Sequence, residues 1–210
     1  MWPRRGTPPH VPRRRYPPEV LTDAEACGLL DACGQRPTGL RNRALITVLY
    51  RAGLRISEAL DLCPKDIDLE SGSIRVLHGK GGRARTVGID PAAGNVVRAW
   101  PAVRAQRRVG SGQPVFCTLY GDRMTNAYVR AMLPRLARKA GIEKRVHAHG
   151  LRHTHAAQLR AEGIDIGIIS KQLGHSSIAT TARYLDHIAP QQVIETIRQR
   201  NWRPLVFATP

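Results

Sequence analysis

Six residues in five short motifs have side chains that could together bind a phosphodiester and attack it. They are two guanidiniums, one amine, two imidazoles and one phenol, which in chain order are Arg55, Lys80, His149, Arg152, His175 and Tyr184. The motifs are GLRISEAL (53–60), HGKGGRAR (78–85), HGLRHTHAA (149–157), LGHSS (173–177) and TARYLDH (181–187). The sequence carries no cluster of carboxylates of the kind that holds catalytic divalent metals, so the pattern favours chemistry without a metal ion.

The order and spacing of these motifs resemble the catalytic domain of the tyrosine recombinases, also called phage integrases, over roughly residues 22–190. From His149 the next members lie 3, then 23, then 9 positions further along the chain. HGLRH, LGH and ARY together at this spacing are a specific signal, whereas each motif alone is weak. The resemblance implies site-specific DNA strand exchange through a covalent 3′-phosphotyrosyl intermediate, with no cofactor.

On this resemblance Tyr184 is the nucleophile, because it follows LGH by nine residues. A tyrosine with a pKa near 10 is only about one part in a thousand ionised at pH 7, so its proton must be removed or the phenolate stabilised. Attack concentrates negative charge on the two non-bridging oxygens, and planar guanidiniums bind such oxygens with paired hydrogen bonds. Arg55 and Arg152 are the candidates for this clamp.

The remaining candidates move protons or support the clamp. His149, three residues before Arg152 on a predicted helix, is the candidate base, and His175 is expected to donate a hydrogen bond to a phosphoryl oxygen. Lys80 is the candidate general acid for the 5′ oxygen, since an arginine gives up its proton poorly. Glu58 is expected to orient Arg55 or to cap the local helix. Arg83 and Arg85 are expected to contact DNA backbone phosphates.

A zinc site is an alternative interpretation of the histidines at 147, 149, 153 and 155. His149 and His153 have the i, i+4 spacing of two ligands on one helix face. The metalloprotease pattern requires a glutamate directly after the first histidine, and Gly150 stands there instead. We therefore expect no metal. In the family the position of His155 is commonly aromatic, and this departure is expected to affect packing more than chemistry.

The charge of the chain favours a polyanionic partner. Lys and Arg number 33 against 16 Asp and Glu, a formal charge of +17. Ribosomal proteins, cationic secreted peptides and membrane-surface binders share such a balance, so charge alone does not identify the partner. Arginine accounts for 28 of the 33 basic residues, which makes Lys80 conspicuous. The expected partners are double-stranded DNA, further copies of the chain in a tetrameric synapse and, alternatively, a full-length recombinase.

Two other functions remain open at this point. The chain could be a degenerate relative that binds DNA or regulates a recombinase without cutting, although all six catalytic positions hold competent residues. It could also relax supercoiled DNA as the type IB topoisomerases do, with the same phenol-to-phosphate chemistry and no synapsis. No apolar run approaches the roughly 20 residues that a membrane span requires. We expect a cytoplasmic protein, associated with the nucleoid of a prokaryote.

The local patterns predict an α+β domain, mainly helical, with a small three-stranded antiparallel sheet. The predicted strands are 73–77, 84–89 and 114–119, with the glycines around Lys80 forming a hairpin tip. The predicted helices are 22–33, 40–51, a short turn after Arg55, 91–108, 125–140, 150–162, 166–173, 178–185 and 191–199. Four scattered cysteines are expected to be reduced core thiols.

Three segments are predicted along the chain. Residues 1–18, rich in Pro and Arg, are expected to be a disordered basic arm. Residues 19–189 form the predicted catalytic domain, and 190–210 a C-terminal helix and tail that could contact a neighbouring subunit. The N-terminal helical DNA-clamping domain that is general in the family is expected to be absent, because about twenty residues precede the first predicted helix.

Overall fold

The computed structural model describes residues 19–77, 79, 84–175, 177–185 and 198, with the backbone alone at 183–185. The predictions for the arm 1–18, for Lys80 and Arg83 at the hairpin tip, and for the helix 191–199 with the tail lie outside these residues. Within them, no helix is both long and apolar enough to cross a lipid bilayer.

The described chain is mainly helical with one three-stranded antiparallel sheet, as predicted. The helices are α1 (Asp23–Asp31), α2 (Pro37–Arg51), α3 (Ile56–Asp61), α4 (Pro91–Gln106), α5 (Asn126–Lys139), α6 (Ala148–Ala161), α7 (Ile166–Leu173) and α8 (Ile178–Leu185). The strands are β1 (Ile67–Asp68), β2 (Ser73–Val76) and β3 (Arg85–Gly88), in spatial order β1-β2-β3. In the β2–β3 hairpin Val76 pairs with Arg85 and Ser73 with Gly88.

Local signals at the helix ends account for several of these bounds. Thr22 and Glu25 form the predicted capping box, each side chain accepting the other's backbone N–H at 3.2 and 2.7 Å. Gly163, with φ +81°, follows the end of α6 as expected. α2 begins three residues earlier than predicted, because Pro37 occupies the first turn, where its missing N–H costs nothing.

The prediction of a strand at 114–119 is wrong, and β1 takes its place in the sheet. Cys117 forms only an isolated bridge with Arg123. The backbone of Val115 is bonded elsewhere, its N–H to Leu62 and its carbonyl to the Trp100 indole at 2.6 Å. The segment is apolar because it crosses the core as a loop. A short apolar run in the sequence looks the same whether it is a buried loop or a strand in a sheet.

The expectation of four core thiols is also wrong in part. Cys117 is buried and Cys33 and Cys63 are partly buried, but Cys27 is exposed. None of the four is in a disulfide, as predicted.

α2 is the central helix and packs mainly against α4 and α6. Its buried side chains include Leu45, Val48 and Leu49. A smaller apolar cluster of Ala156, Ile169 and Leu173 joins α6 to α7. The end of α2, the first turns of α6 and the end of α7 are thereby brought together, and these are the places where the sequence motifs occur.

Candidate active site

Arg55 lies at the turn between α2 and α3, where the chain reverses through Gly53 with φ +64°. Its backbone N–H donates to Glu58 Oε2 at 2.9 Å and its Nη1 donates to Oε1 at 2.7 Å. Glu58 therefore both caps α3 and orients Arg55, the two roles considered for it from the sequence. The Glu58 carboxylate is almost entirely buried, whereas the Arg55 side chain is partly exposed. The buried carboxylate therefore fixes a guanidinium that is accessible from the surface.

Arg152 projects from the second turn of α6 and is only 2% exposed. Its Nη1 donates to the carbonyl of Gly53 at 2.5 Å, and its Nη2 donates to the carbonyl of Leu173. One guanidinium thus joins the turn before Arg55 to the end of α7, where LGH begins. These bonds fix the orientation of the side chain before any ligand binds.

A pocket of about 230 Å³ brings three of the predicted residues together. Arg55, His149 and Arg152 line it, at the meeting of the α2–α3 turn with the start of α6. Burial and then the nearby charge of Arg152 lower the pKa of His149 below its ordinary value of 6.5. The imidazole is therefore neutral at pH 7 and able to accept a proton.

His175 lies next to the same groups. Its Nδ1 is 2.8 Å from the hydroxyl of Thr181. Burial and then the charges of Arg152, Arg55 and Arg85 lower the pKa of His175 to about 4. Arginines from the α2–α3 turn, β3 and α6 therefore act electrostatically on one imidazole. With Thr181, residues of all five motifs meet around it.

Arg85 lies in a different position from that expected of a DNA phosphate contact. Its Nη1 and Nη2 donate to the two oxygens of Glu58 at 2.9 and 2.8 Å, and its side chain is only 13% exposed. Burial alone would raise the pKa of Glu58, but hydrogen bonds from Arg85 and Arg55 outweigh it and hold the pKa at about 2. Arg85 is therefore mostly buried, with its guanidinium against Glu58.

The other predicted site residues are placed less completely. Tyr184 lies in α8, one turn after Thr181, and its side chain is outside the described part of the chain. Lys80 and Arg83 lie outside it altogether. The assignments of nucleophile, general acid and phosphate contact therefore stay predictions from the sequence.

The histidines of the zinc alternative have separate local roles. His147 caps α6, its Nδ1 accepting the N–H of Gly150 at 3.0 Å. His149 and His153 meet edge to face with ring centres 4.4 Å apart. His155 is buried, and the Cβ of any residue replacing Gly53 would lie 2.8 Å from its ring. Among the described residues no three His, Cys, Asp or Glu side chains are grouped so as to hold a metal ion.

Sequence reasoning missed several residues around the pocket. Ser57 and, from α5, Asn126 and the exposed Arg130 line it beside Arg55 and Arg152. Thr181 was missed as the partner of His175. The sequence contains no signal that singles out Arg130, because it is one of 28 arginines and α5 meets the site only through the tertiary fold.

Comparison with known proteins agrees with this geometry. The model of the phage integrase family matches residues 19–190. Tyrosine recombinase XerC of Xanthomonas campestris pv. campestris (strain B100) is 38% identical over 177 residues, which are 84% of this chain and 53% of that protein. The chain spans about half the length of such curated relatives.

Solved structures give the same result. The crystal structure of XerA recombinase superposes with a TM-score of 0.77 at 29% identity, over 90% of this chain and 68% of that one. The XerH site-specific recombinase, bound to a palindromic difH substrate in a post-cleavage complex, gives a TM-score of 0.71 at 29% identity, over 88% of this chain and 54% of that one. The chain therefore belongs to the phage integrase family and has the catalytic-domain fold of its tyrosine recombinases.

Proposed function

We propose that this chain is the catalytic part of a site-specific DNA recombinase that cuts and rejoins one DNA strand at a time through Tyr184. The observation that carries the proposal is the convergence of Arg55, His149 and Arg152 on one open pocket, with His175 in their electrostatic field. A pocket lined by two guanidiniums and the neutral imidazole of His149 suits a phosphodiester anion. Its catalytic groups also match the chemistry that the attack of a phenol on phosphorus requires.

Stabilisation of the transition state falls to the two arginines. Negative charge grows on the two non-bridging oxygens as the phenol oxygen approaches phosphorus, and Arg55 and Arg152 supply fixed positive charge there. Both guanidiniums are already held, Arg55 by Glu58 and Arg152 by two backbone carbonyls. Groups oriented in advance need little reorganisation when the charge develops. The reaction should therefore proceed without a divalent cation.

Two protons move during cleavage. The phenol of Tyr184 transfers its proton to His149, whose lowered pKa keeps it neutral, as the Tyr184–phosphorus bond forms. The bond from phosphorus to the 5′ oxygen breaks, and Lys80 donates a proton to that oxygen. The products are a 3′-phosphotyrosyl ester and a free 5′ hydroxyl. The ester conserves the energy of the original phosphodiester, so attack by a 5′ hydroxyl of a partner strand reverses these steps without ATP.

The assembly is proposed from the relatives. The XerH structure contains a DNA substrate after cleavage, and the charge of +17 suits the same polyanion. Exchange of two strand pairs requires four active sites, so we propose a tetramer of this chain, or of the longer protein that it represents, on two duplexes. Its place of action is the nucleoid in the prokaryotic cytoplasm.

Nicked suicide duplexes test the proposal. A nick just beyond the scissile phosphate lets the 5′ fragment diffuse away, so the covalent adduct accumulates and survives denaturation. A duplex library randomised around the nick removes the need to know the target. The wild-type chain should form adducts in the presence of EDTA, and sequencing the captured DNA would give the preferred site.

Tyr184→Phe is the matched control. It should form no adduct yet bind duplex with nearly unchanged affinity, because one hydroxyl adds little beside many phosphate contacts. Binding by the wild-type chain without any adduct would identify a non-catalytic relative. Relaxation of supercoiled DNA without strand exchange would instead support the activity of a type IB topoisomerase.

A further inference from the structure

The carboxylate of Glu58 lies between two arginines rather than one. Arg85 binds both of its oxygens, at 2.9 and 2.8 Å, and Arg55 binds the same two oxygens through its side chain and its backbone, at 2.7 and 2.9 Å. The Glu58 side chain is only 1% exposed, whereas Arg55 is 29% exposed and lines the pocket. Arg85 and Arg55 thus lie on opposite sides of a buried carboxylate, and Arg55 is the end of this chain of charges that lines the proposed phosphate site.

The sum of charges in this group has an electrostatic consequence. Arg55, Glu58 and Arg85 together carry a net charge of +1, which is available to an anion in the pocket. Without Arg85 the buried carboxylate would have Arg55 as its only remaining cation among these three groups. The negative charge of Glu58 would then largely cancel the attraction of Arg55 for a phosphate. The Arg55 guanidinium would also move toward the carboxylate and away from the pocket.

The contacts of Arg85 also join three of the motifs. It lies on β3, it binds Glu58 of the GLRISEAL motif, and it packs on Gly174 of the LGH motif. A Cβ at Gly174 would lie 2.6 Å from Arg85 Nε and 2.8 Å from its Cζ, and Gly174 has φ +64°. Glycine at this position is what leaves room for the guanidinium, directly beside His175.

We propose that Arg85 is a positioning residue of the phosphate site, which neutralises and orients Glu58 so that the charge of Arg55 remains directed at the scissile phosphate. The inference rests on the function proposed above and assigns to Arg85 a role other than a DNA backbone contact. A planar guanidinium suits this geometry best, because Nη1 and Nη2 each bind one carboxylate oxygen, and an ammonium replaces this paired contact only in part.

The rate of adduct formation on a nicked duplex tests the inference. Arg85→Ala should slow cleavage by about 10- to 100-fold, the loss typical of a misplaced catalytic group, and Arg85→Lys should recover part of it. The decisive variant is the double substitution of Arg85→Ala with Glu58→Gln. Removing the carboxylate charge removes the need to neutralise it, so the double variant should cleave faster than Arg85→Ala alone.

Controls separate this role from general damage. Arg98→Ala removes one exposed arginine from α4, whose partner is Glu70, and should cleave at the wild-type rate. Gly174→Ala should reproduce the Arg85→Ala defect by displacing the guanidinium. Circular dichroism checks folding. Should Arg85→Ala fail to fold, Arg85→Lys is compared with Arg85→Lys combined with Glu58→Gln, and the same criterion applies: the double variant should cleave faster than the single one.

The outcomes distinguish the two proposals. Wild-type cleavage by Arg85→Ala, or a double variant slower than Arg85→Ala, overturns the role of Arg85 and leaves the recombinase function intact. A wild-type chain that binds DNA but forms no adduct on any sequence overturns the function, and the inference about Arg85 with it.

Discussion

The imidazole Nδ1 of His175 lies 2.8 Å from the hydroxyl of Thr181, a residue that is completely buried. Thr181 belongs to α8, the helix that also contains Tyr184. The contact therefore links the histidine of LGH to the helix of the proposed nucleophile. It also fixes the orientation of the ring and so the direction of the other nitrogen, whereas either tautomer satisfies the contact, because a hydroxyl can donate or accept.

Thr181→Val should slow adduct formation about tenfold, less than the loss of the histidine itself, because the ring remains but its orientation is no longer fixed. The substitution keeps the volume of the side chain and removes only the hydroxyl. Thr181→Ser retains the hydroxyl and should stay near the wild-type rate. Equal rates for the valine and serine variants would show that the hydrogen bond does not matter for cleavage.

The pH dependence of cleavage tests the role of His149. Burial and then Arg152 lower its pKa below 6.5, and a base must be unprotonated, so its active form persists to lower pH than for an ordinary histidine. At subsaturating DNA the rate should rise with pH through a midpoint below 6.5 and then level off. His149→Gln should remove this rise. A midpoint above 6.5 that disappears in the variant would contradict the burial of the neutral imidazole.

Features set by neighbours in sequence were predictable, and those set by distant contacts were not. The capping box at Thr22 and the glycine after α6 involve atoms a few residues apart, so the sequence specifies them directly. The strand predicted at 114–119 failed because its apolar residues reflect burial against Trp100, more than ten residues away. The composition of a segment indicates that it is buried, but it does not indicate the partners of its backbone hydrogen bonds.

The same distinction holds in the site. Motif spacing identified Arg55, His149, Arg152 and His175, which the fold brings together. It did not identify the partner of Arg85, since Glu58 lies 27 residues earlier in the chain. Arg83 and Arg85, two residues apart in HGKGGRAR, look equivalent as sequence. The contact of Arg85 with Glu58 depends on the fold, which brings β3 beside α3.

Lys80→Ala tests the proton donor, which was predicted from sequence alone. The variant should cleave an ordinary phosphodiester about 10²- to 10⁴-fold more slowly than wild type. A 5′-bridging phosphorothiolate should restore the rate, since a thiolate leaves without protonation, thiols having a pKa of about 8.5. Tyr184→Phe should not be rescued by the same substrate. A Lys80→Ala variant that remains slow on the phosphorothiolate would remove the general-acid assignment.

Arg130 tests whether the pocket extends to α5. This exposed side chain lines the pocket with Arg55 and Arg152. Arg130→Ala should weaken duplex binding and reduce the slope of log Kd against log salt by about one ion. Arg135, exposed on the same helix but not part of the pocket lining, is the matched control, and Arg135→Ala should leave the slope nearly unchanged. Identical slopes for both variants would place α5 outside the DNA interface.

His155 makes the stability of the fold depend on pH. Burial lowers its pKa to about 4, and neither ring nitrogen has a hydrogen-bond partner in the described part of the chain. Between about pH 4 and the 6.5 of an ordinary histidine, the unfolded chain binds a proton at His155 that the folded chain does not bind. The contribution of His155 to the free energy of unfolding is therefore fully present above pH 6.5 and falls as the pH drops through this window. The slope of the unfolding free energy from one such group is at most about 1.4 kcal/mol per pH unit.

Urea titrations at several pH values measure this slope. For both His155→Phe and His155→Leu the free energy of unfolding should depend less steeply on pH than in the wild type, whatever their stability at pH 7. His175, whose pKa is also lowered to about 4, should keep some slope in either variant. Slopes equal to that of the wild type would mean that the buried ring is protonated in the folded chain.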